Sequence, residues 1–297
     1  MTLLITVNGP ESVWLMADRR ITKSGIVVRD SARKLMLLET TDGVAILGYT
    51  GLGATRSGTE PADWMSAVLR GRNAPLEQSL AILADAAKRE LPSHLLGNPH
   101  SIVAAGFVGE EARVYTIDLH APPSRPMAFR YTRHVVDRPS HIAPRTPPLA
   151  FGGSGASRLI GDSRWRRELL RLARACDRGK VSPHAVADSL AAINFRVHHA
   201  EPTVGPRCVV VWRHRKQGVH KGGGAHQFYN GVAREHDGPD GQLPTIANGG
   251  DISALLKAIM PQMMEQMAAL RDGKALEIDK DKMNAELAKL PDTPDEH

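Results

Sequence analysis

Short apolar runs broken by turn signals fill the first fifty residues and read as strands. Leu3-Leu4-Ile5-Thr6-Val7 is β-branched and apolar, Asn8-Gly9-Pro10 signals a turn, and Ser12 to Ala17 forms a return run. Gly25 to Val28, Leu35 to Leu38 and Val44 to Leu47 continue the series. The pattern then changes. Residues 60–70 read as a helix with Pro61 near its start, and residues 75–91 as a better one. There Leu80, Leu83, Ala84 and Ala87 follow helical spacing. Strands return at Ile102 to Val108, Arg113 to Leu119 and Met127 to Tyr131, and the proline-rich basic stretch 137–149 reads as a loop.

Gly152-Gly153-Ser154-Gly155 opens a predicted helix over 156–176, striped with Trp165, Leu169, Leu172 and Cys176. Arg164, Arg167, Arg171 and Arg174 line another face, either a solvated surface or a contact for an acidic partner. A helix over 183–196 and a strand from Cys208 to Trp212 follow. Strands and helices come in blocks and do not alternate. That argues against a doubly wound parallel sheet and for two sheets packed face to face with helices outside, an α+β class.

Residues 216–250 carry many glycines and few apolar runs, so they are expected to form a flexible linker. Asp251 could cap a tail helix striped by Ile252, Leu255, Leu256, Ile259, Met263, Met267 and Leu270, with Pro261 expected to kink or restart it. A weak last helix is expected over 280–290. A lone amphipathic helix cannot bury its stripe. This one packs on the main domain or docks on another copy or a partner, for which methionines suit an adaptable surface.

Thr2 directly follows Met1. Once that methionine is removed, one residue holds both a hydroxyl nucleophile and an amine able to take its proton. Asp18, Lys34 and Gly48 then follow at steps of 16, 16 and 14 residues. A lysine cation beside the amine would lower its pKa from about 8 and help deprotonate the hydroxyl. A carboxylate at Asp18 would hold that cation, since a buried charge alone is costly. A backbone N–H at Gly48 would face the oxyanion, and the missing Cβ would let a substrate main chain approach. Each of these residues also has an ordinary structural reading as turn, surface lysine or salt-bridge residue. The joint spacing points to chemistry.

That spacing resembles the proteasome β-type family of N-terminal nucleophile hydrolases, in particular bacterial threonine peptidases that begin at Met-Thr. The resemblance covers roughly residues 2–213. It implies a four-layer αββα sandwich over residues 1–215; the 216–250 linker and the helical extension over 251–297 lie outside it. It implies Thr2, Asp18, Lys34, Gly48 and Ser154 as catalytic residues, although Ser154 is equally a helix N-cap. It implies an apolar specificity pocket drawn from Ile21, Ala32, Met36, Ile46, Thr50 and Ala54, with cleavage after apolar side chains. It also implies homo-oligomeric rings acting on peptides or unfolded protein, with an ATPase unfoldase as a possible partner. The family's acidic turn before the last strand has no aspartate here. Glu201 and Thr203 are the available substitutes, though their spacing differs. A catalytically weak assembly module, or an amidohydrolase of smaller substrates, remains open.

Composition narrows the rest. No run of eighteen apolar residues occurs and no charged leader precedes an apolar core, so neither a membrane span nor a secretory signal is expected. Cys176 and Cys208 are too few and too far apart for a disulfide framework or zinc site, which suits the cytoplasm. The net charge of +6 is spread along the chain, so surface character is expected before nucleic-acid binding. His198-His199 has no further ligand at metal spacing, and no Gly-Lys-Ser/Thr follows the glycine loop. No metal or cofactor is expected.

Overall fold

A computed structural model describes residues 2–23, 26–51, 59–90, 101–120, 128–134, 149–160, 162–215, 222–234, 243–271 and 279–288. One sheet has six strands, β1 (Leu4–Asn8), β2 (Ser12–Asp18), β10 (Leu149–Gly152), β11 (Arg207–His214), β12 (Gly223–Tyr229) and β13 (Val232–Arg234). Their order is β10-β1-β2-β11-β12-β13 and every pairing is antiparallel. The other has seven, β5 (Leu35–Glu39), β6 (Gly43–Thr50), β7 (Ser101–Val108), β8 (Glu111–His120), β9 (Ala128–His134), β14 (Thr245–Ala247) and β15 (Gly250–Asp251). Its order is β15-β14-β5-β6-β7-β8-β9, antiparallel except where β14 runs parallel to β5. A small hairpin, β3 (Ile21–Lys23) and β4 (Ile26–Arg29), stands apart.

The two-residue period of these strands sorts their side chains into three cores. Leu3, Ile5 and Val7 pack with Trp14, Met16, Val210 and Trp212 against helices α4 (Ser163–Asp177) and α5 (Pro183–Ala200). Met36, Leu38, Leu47 and Tyr49 pack against α1 (Pro61–Leu69) and α2 (Leu76–Glu90). The alternate residues, Leu4, Leu15 and Ala17 from one sheet and Leu35, Leu37, Ile46 and Phe107 from the other, share a third cluster. The fold is mixed α+β with antiparallel sheets. Aliphatic residues fill most of this volume, as the low aromatic content requires.

Three expectations need correction. The helix expected over 156–176 is broken into a turn of 3-10 helix at Ser154–Ala156, a short α3 (Ser157–Ile160) and then α4. Asp162 restarts the chain by accepting the Arg164 N–H at 2.8 Å, satisfying an otherwise orphaned helix donor. The expected linker over 216–250 contains strands. β12 pairs with β11 from Arg207↔Tyr229 to Arg213↔Gly223, and His226 stacks on Trp212 with centroids 5.2 Å apart. The glycines hid a paired edge. Thirdly, α6 (Ile252–Arg271) runs through Pro261 as one helix.

The tail helices are α6 and α7 (Lys280–Ala288). Asp251 caps α6 by accepting the Ala254 N–H at 2.9 Å, and also takes Arg70 Nη2 of the chain just after α1 at 2.7 Å. The start of α6 is therefore anchored, whereas Met263, Met264 and Met267 are exposed farther along it. On α4, Arg164, Arg167 and Arg171 are exposed. Among the described residues no helix is long and apolar enough to cross a membrane. Most of the 137–149 loop lies outside the described residues.

The end of α4 yields a pH prediction. Burial, with the Glu11 charge adding to it, pushes the Asp177 carboxyl up to about 6. Because the folded pKa exceeds the unfolded one, the ionised form destabilises the fold above pH 6. That deficit disappears as pH falls toward 4. Asp177 is only partly buried, so the effect is about 1 kcal/mol. Urea unfolding of Asp177→Asn should show a gain of that size over wild type at pH 8 and none at pH 4. An equal gain at both pH values would rule the titration out.

Candidate active site

Strand β2 ends at Asp18 and the chain enters β5 at Lys34, so the two sheets deliver these residues to one point beside β1. Asp18 has no exposed surface and Lys34 is 4% exposed. Lys34 Nζ donates to Thr2 Oγ1 at 2.9 Å, to Asp18 Oδ1 at 3.0 Å and to the Arg20 carbonyl at 2.7 Å. Three acceptors use all three protons of an ammonium. Burial pushes the Lys34 pKa down, while the charge and hydrogen bond of Asp18 oppose that fall. Asp18 also accepts the backbone N–H groups of Leu3 (2.8 Å), Arg20 (3.0 Å) and Gly205 (3.0 Å).

A glycine loop closes over the other side of Thr2. A Cβ on Gly153 would lie 1.9 Å from the Thr2 carbonyl oxygen and 2.9 Å from Thr50 Oγ1, and φ there is +86°. Both the close approach and the left-handed backbone require glycine. Gly155 N–H donates to the Thr2 carbonyl at 3.4 Å. Ser154 does not cap the following helix, whose N-cap position is Gly153. Its hydroxyl lies 3.4 Å from Thr203 Oγ1, which donates to Glu201 Oε1 at 2.7 Å. Thr203 has one proton and gives it to Glu201, so Ser154 is the donor to Thr203. The Thr203 hydrogen bond pulls the Glu201 pKa down and keeps it ionised. Glu201 and Thr203 thus join a polar chain to the glycine loop despite their different spacing.

Other assignments are not brought together. Gly48 sits inside β6, paired to Leu35 on one side and Val103 on the other. A Cβ there would meet Leu15, Leu35 and Leu4 at 2.8, 3.0 and 3.2 Å. The missing Cβ therefore lets the two sheets approach each other at this point. The six expected pocket residues do not line one pocket either. Met36 belongs to the cluster under α1 and α2, and Ile46 to the cluster between the sheets. They lie on opposite faces of one sheet, so the apolar cleavage preference loses its basis. Ala32 and Thr50 are buried, Ile21 is half-buried on β3, and Ala54 lies outside the described residues.

Arg20 and Asp30 join the site, and their ion pair is not marked by any local sequence pattern. Arg20 forms a two-point ion pair with Asp30 at 2.6 and 2.8 Å and donates to the Pro202 carbonyl at 2.6 Å. It thereby ties the 202–205 turn, whose Gly205 N–H reaches Asp18, to the segment leading to Lys34. The charged triplet Asp18-Arg19-Arg20 at the end of an apolar strand was the available signal. Thr2 itself is 2% exposed.

No family model matches the sequence, and neither does any curated protein. Solved structures do. A Gly-1 mutant of Anbu from Hyphomicrobium sp. strain MC1 is 13% identical, covering 92% of this chain and 100% of its own, with a TM-score of 0.47. Anbu (ancestral β-subunit) from Yersinia bercovieri is 11% identical, covering 94% and 100%, with a TM-score of 0.46. A further Anbu structure from Hyphomicrobium sp. strain MC1 gives 12%, 93% and 99%, and 0.48. These findings correct the identification made from the N-terminal spacing. The similarity is to Anbu, a family related to but distinct from the proteasome β-type threonine peptidases.

Removing one member of a buried ion pair is expected to cost about 3–5 kcal/mol, because the other is left uncompensated. Asp18→Ala should stand at the upper end, since it also orphans three backbone donors. The double variant Asp18→Asn/Lys34→Met should be more stable than Asp18→Ala alone. Urea titration reads this directly, and an Asp18→Ala loss below about 1 kcal/mol would show that the pair is not buried as described.

Proposed function

We propose that this protein is an N-terminal nucleophile hydrolase that cleaves peptide bonds with Thr2 after removal of Met1. The observation that carries this reading is the 2.9 Å hydrogen bond from the buried Lys34 ammonium to Thr2 Oγ1, with Asp18 fixing the ammonium at 3.0 Å. A cation donating to a hydroxyl oxygen favours its alkoxide form. The freed α-amine of Thr2 takes the hydroxyl proton, and the oxygen attacks the carbonyl carbon of the peptide bond. The protonated amine then passes its proton to the leaving amine. Water, deprotonated by the same amine, hydrolyses the resulting ester and restores Thr2. Ser154, Thr203 and Glu201 form the polar support for that amine, in place of an aspartate turn.

The three clusters support a four-layer αββα stack as the frame for this site. Copies of the chain assemble into a homo-oligomeric, proteasome-like ring, and an ATPase unfoldase is the kind of partner that would feed it unfolded chains. The free thiols Cys176 and Cys208 support a reducing compartment, the cytoplasm.

A second reading is a silent assembly or binding module. The exposed methionines of α6 favour it, as does the near-complete burial of Thr2. Intact-mass analysis after treatment with a threonine-directed epoxyketone separates the two. The hydrolase reading expects a chain lacking Met1 that gains one adduct, abolished in Thr2→Ala. A chain that retains Met1, or that gains no adduct on Thr2, supports the module instead.

A further inference from the structure

A cavity of about 340 Å³ opens beside the β12–β13 edge and is lined by Arg19, Arg207, Gln227, Phe228, Tyr229 and Arg234. Strand register explains its composition. Arg207 stands opposite Tyr229 across β11 and β12, and Arg234 stands opposite Gln227 across β12 and β13. Gln227 and Tyr229 are two residues apart and share a face, so their cross-strand arginines converge on that face. The guanidinium carbons of Arg207 and Arg234 lie 5.6 and 5.8 Å from the centre of the Tyr229 ring. An aromatic face holds a flat cation by its plane and not by its N–H groups.

Two features point to a ligand. Among the described residues no carboxylate lines the cavity, whereas three guanidinium groups do. Gln227 is 4% exposed, and its Oε1 accepts from Arg19 Nη1 at 2.8 Å. A guanidinium only donates, which fixes the amide with its NH₂ group turned away from Arg19. Among the described residues that Nε2 has no hydrogen-bond partner. A buried donor without an acceptor carries a standing desolvation penalty that an acceptor relieves.

We propose that this cavity is a carboxylate-binding site. The donors are the edges of planar guanidinium and amide groups, which match a planar acceptor with two oxygens. The volume suits a ligand the size of an acidic amino-acid residue or a small dicarboxylate. The site adjoins the Thr2 centre through Arg19, which follows Asp18 and donates to the Ser31 and Ala32 carbonyls at 2.7 and 3.3 Å, just before Lys34. Carboxylate binding is independent of whether Thr2 hydrolyses anything.

Isothermal titration of the full chain with glutarate, with the amidated acetyl peptide Gly-Gly-Glu-Gly and with inorganic phosphate tests the proposal. Saturable binding of at least one carboxylate probe is expected. It should weaken at least tenfold in Arg234→Gln and in Gln227→Glu, and stay unchanged in Arg167→Gln on the outer face of α4. Tighter binding of the peptide identifies a polypeptide carboxylate as the natural source, and tighter binding of glutarate a free acid. Arg234 is exposed, so its substitution leaves the fold intact, as circular dichroism would verify. No carboxylate binding, stronger phosphate binding, or an Arg234→Gln variant that binds like wild type would overturn the proposal.

Discussion

A lysine ammonium buried beside an aspartate joins the two sheets next to the N-terminal strand. Taking these charges out of water is expensive, and the cost is offset only when every proton and lone pair finds a partner. Here that condition is met. Lys34 spends its three protons on Thr2, Asp18 and the Arg20 carbonyl, and Asp18 collects three backbone N–H groups besides. The pair is therefore specified by the chain segments around it, and in turn fixes where those segments lie. Residues 2–3, 18–20, 34 and 205 are held to one centre although they are far apart in sequence.

The glycine loop completes this arrangement from the opposite side. Gly153 approaches the Thr2 carbonyl so closely that no side chain fits between them. The loop thus sets the Thr2 backbone while Lys34 sets its hydroxyl. The Ser154–Thr203–Glu201 chain extends the polar environment outward to Arg158, 3.4 Å from Glu201. An ionised carboxylate at its end orients each hydroxyl in the chain. The same economy of donors recurs at the β12–β13 edge, where Arg19 is committed to Gln227, Ser31 and Ala32.

Much of this was legible in the residues. Strand runs, turn signals and helical spacing located most elements to within a few residues, because apolar periodicity follows burial directly. The juxtaposition of Thr2, Asp18 and Lys34 could be anticipated from their spacing, since each stands at the edge of a readable strand. Gly48 and the pocket residues could not be read so simply. Counting positions without gaps ignores the face on which a strand presents each residue, and a one-residue difference reverses it. Met36 and Ile46 show the consequence. Glycine content misled over 216–250, because the glycines of β12 stand opposite the bulky Trp212 and Arg213 of β11 and because β14 pairs with the distant β5. Arg20 and Asp30 were missed because a tertiary ion pair leaves no local pattern.

The central claim is that Lys34 remains a charged donor to Thr2 inside the fold. Proton-coupled ¹⁵N spectroscopy of the chain labelled at lysine Nζ reads this directly. At pH 7 the account predicts one ammonium signal with three slowly exchanging protons, lost in Lys34→Met and perturbed in Thr2→Ala and Asp18→Asn. A neutral amine signal, or an ammonium that exchanges with water as fast as surface lysines and ignores Thr2→Ala, would contradict it.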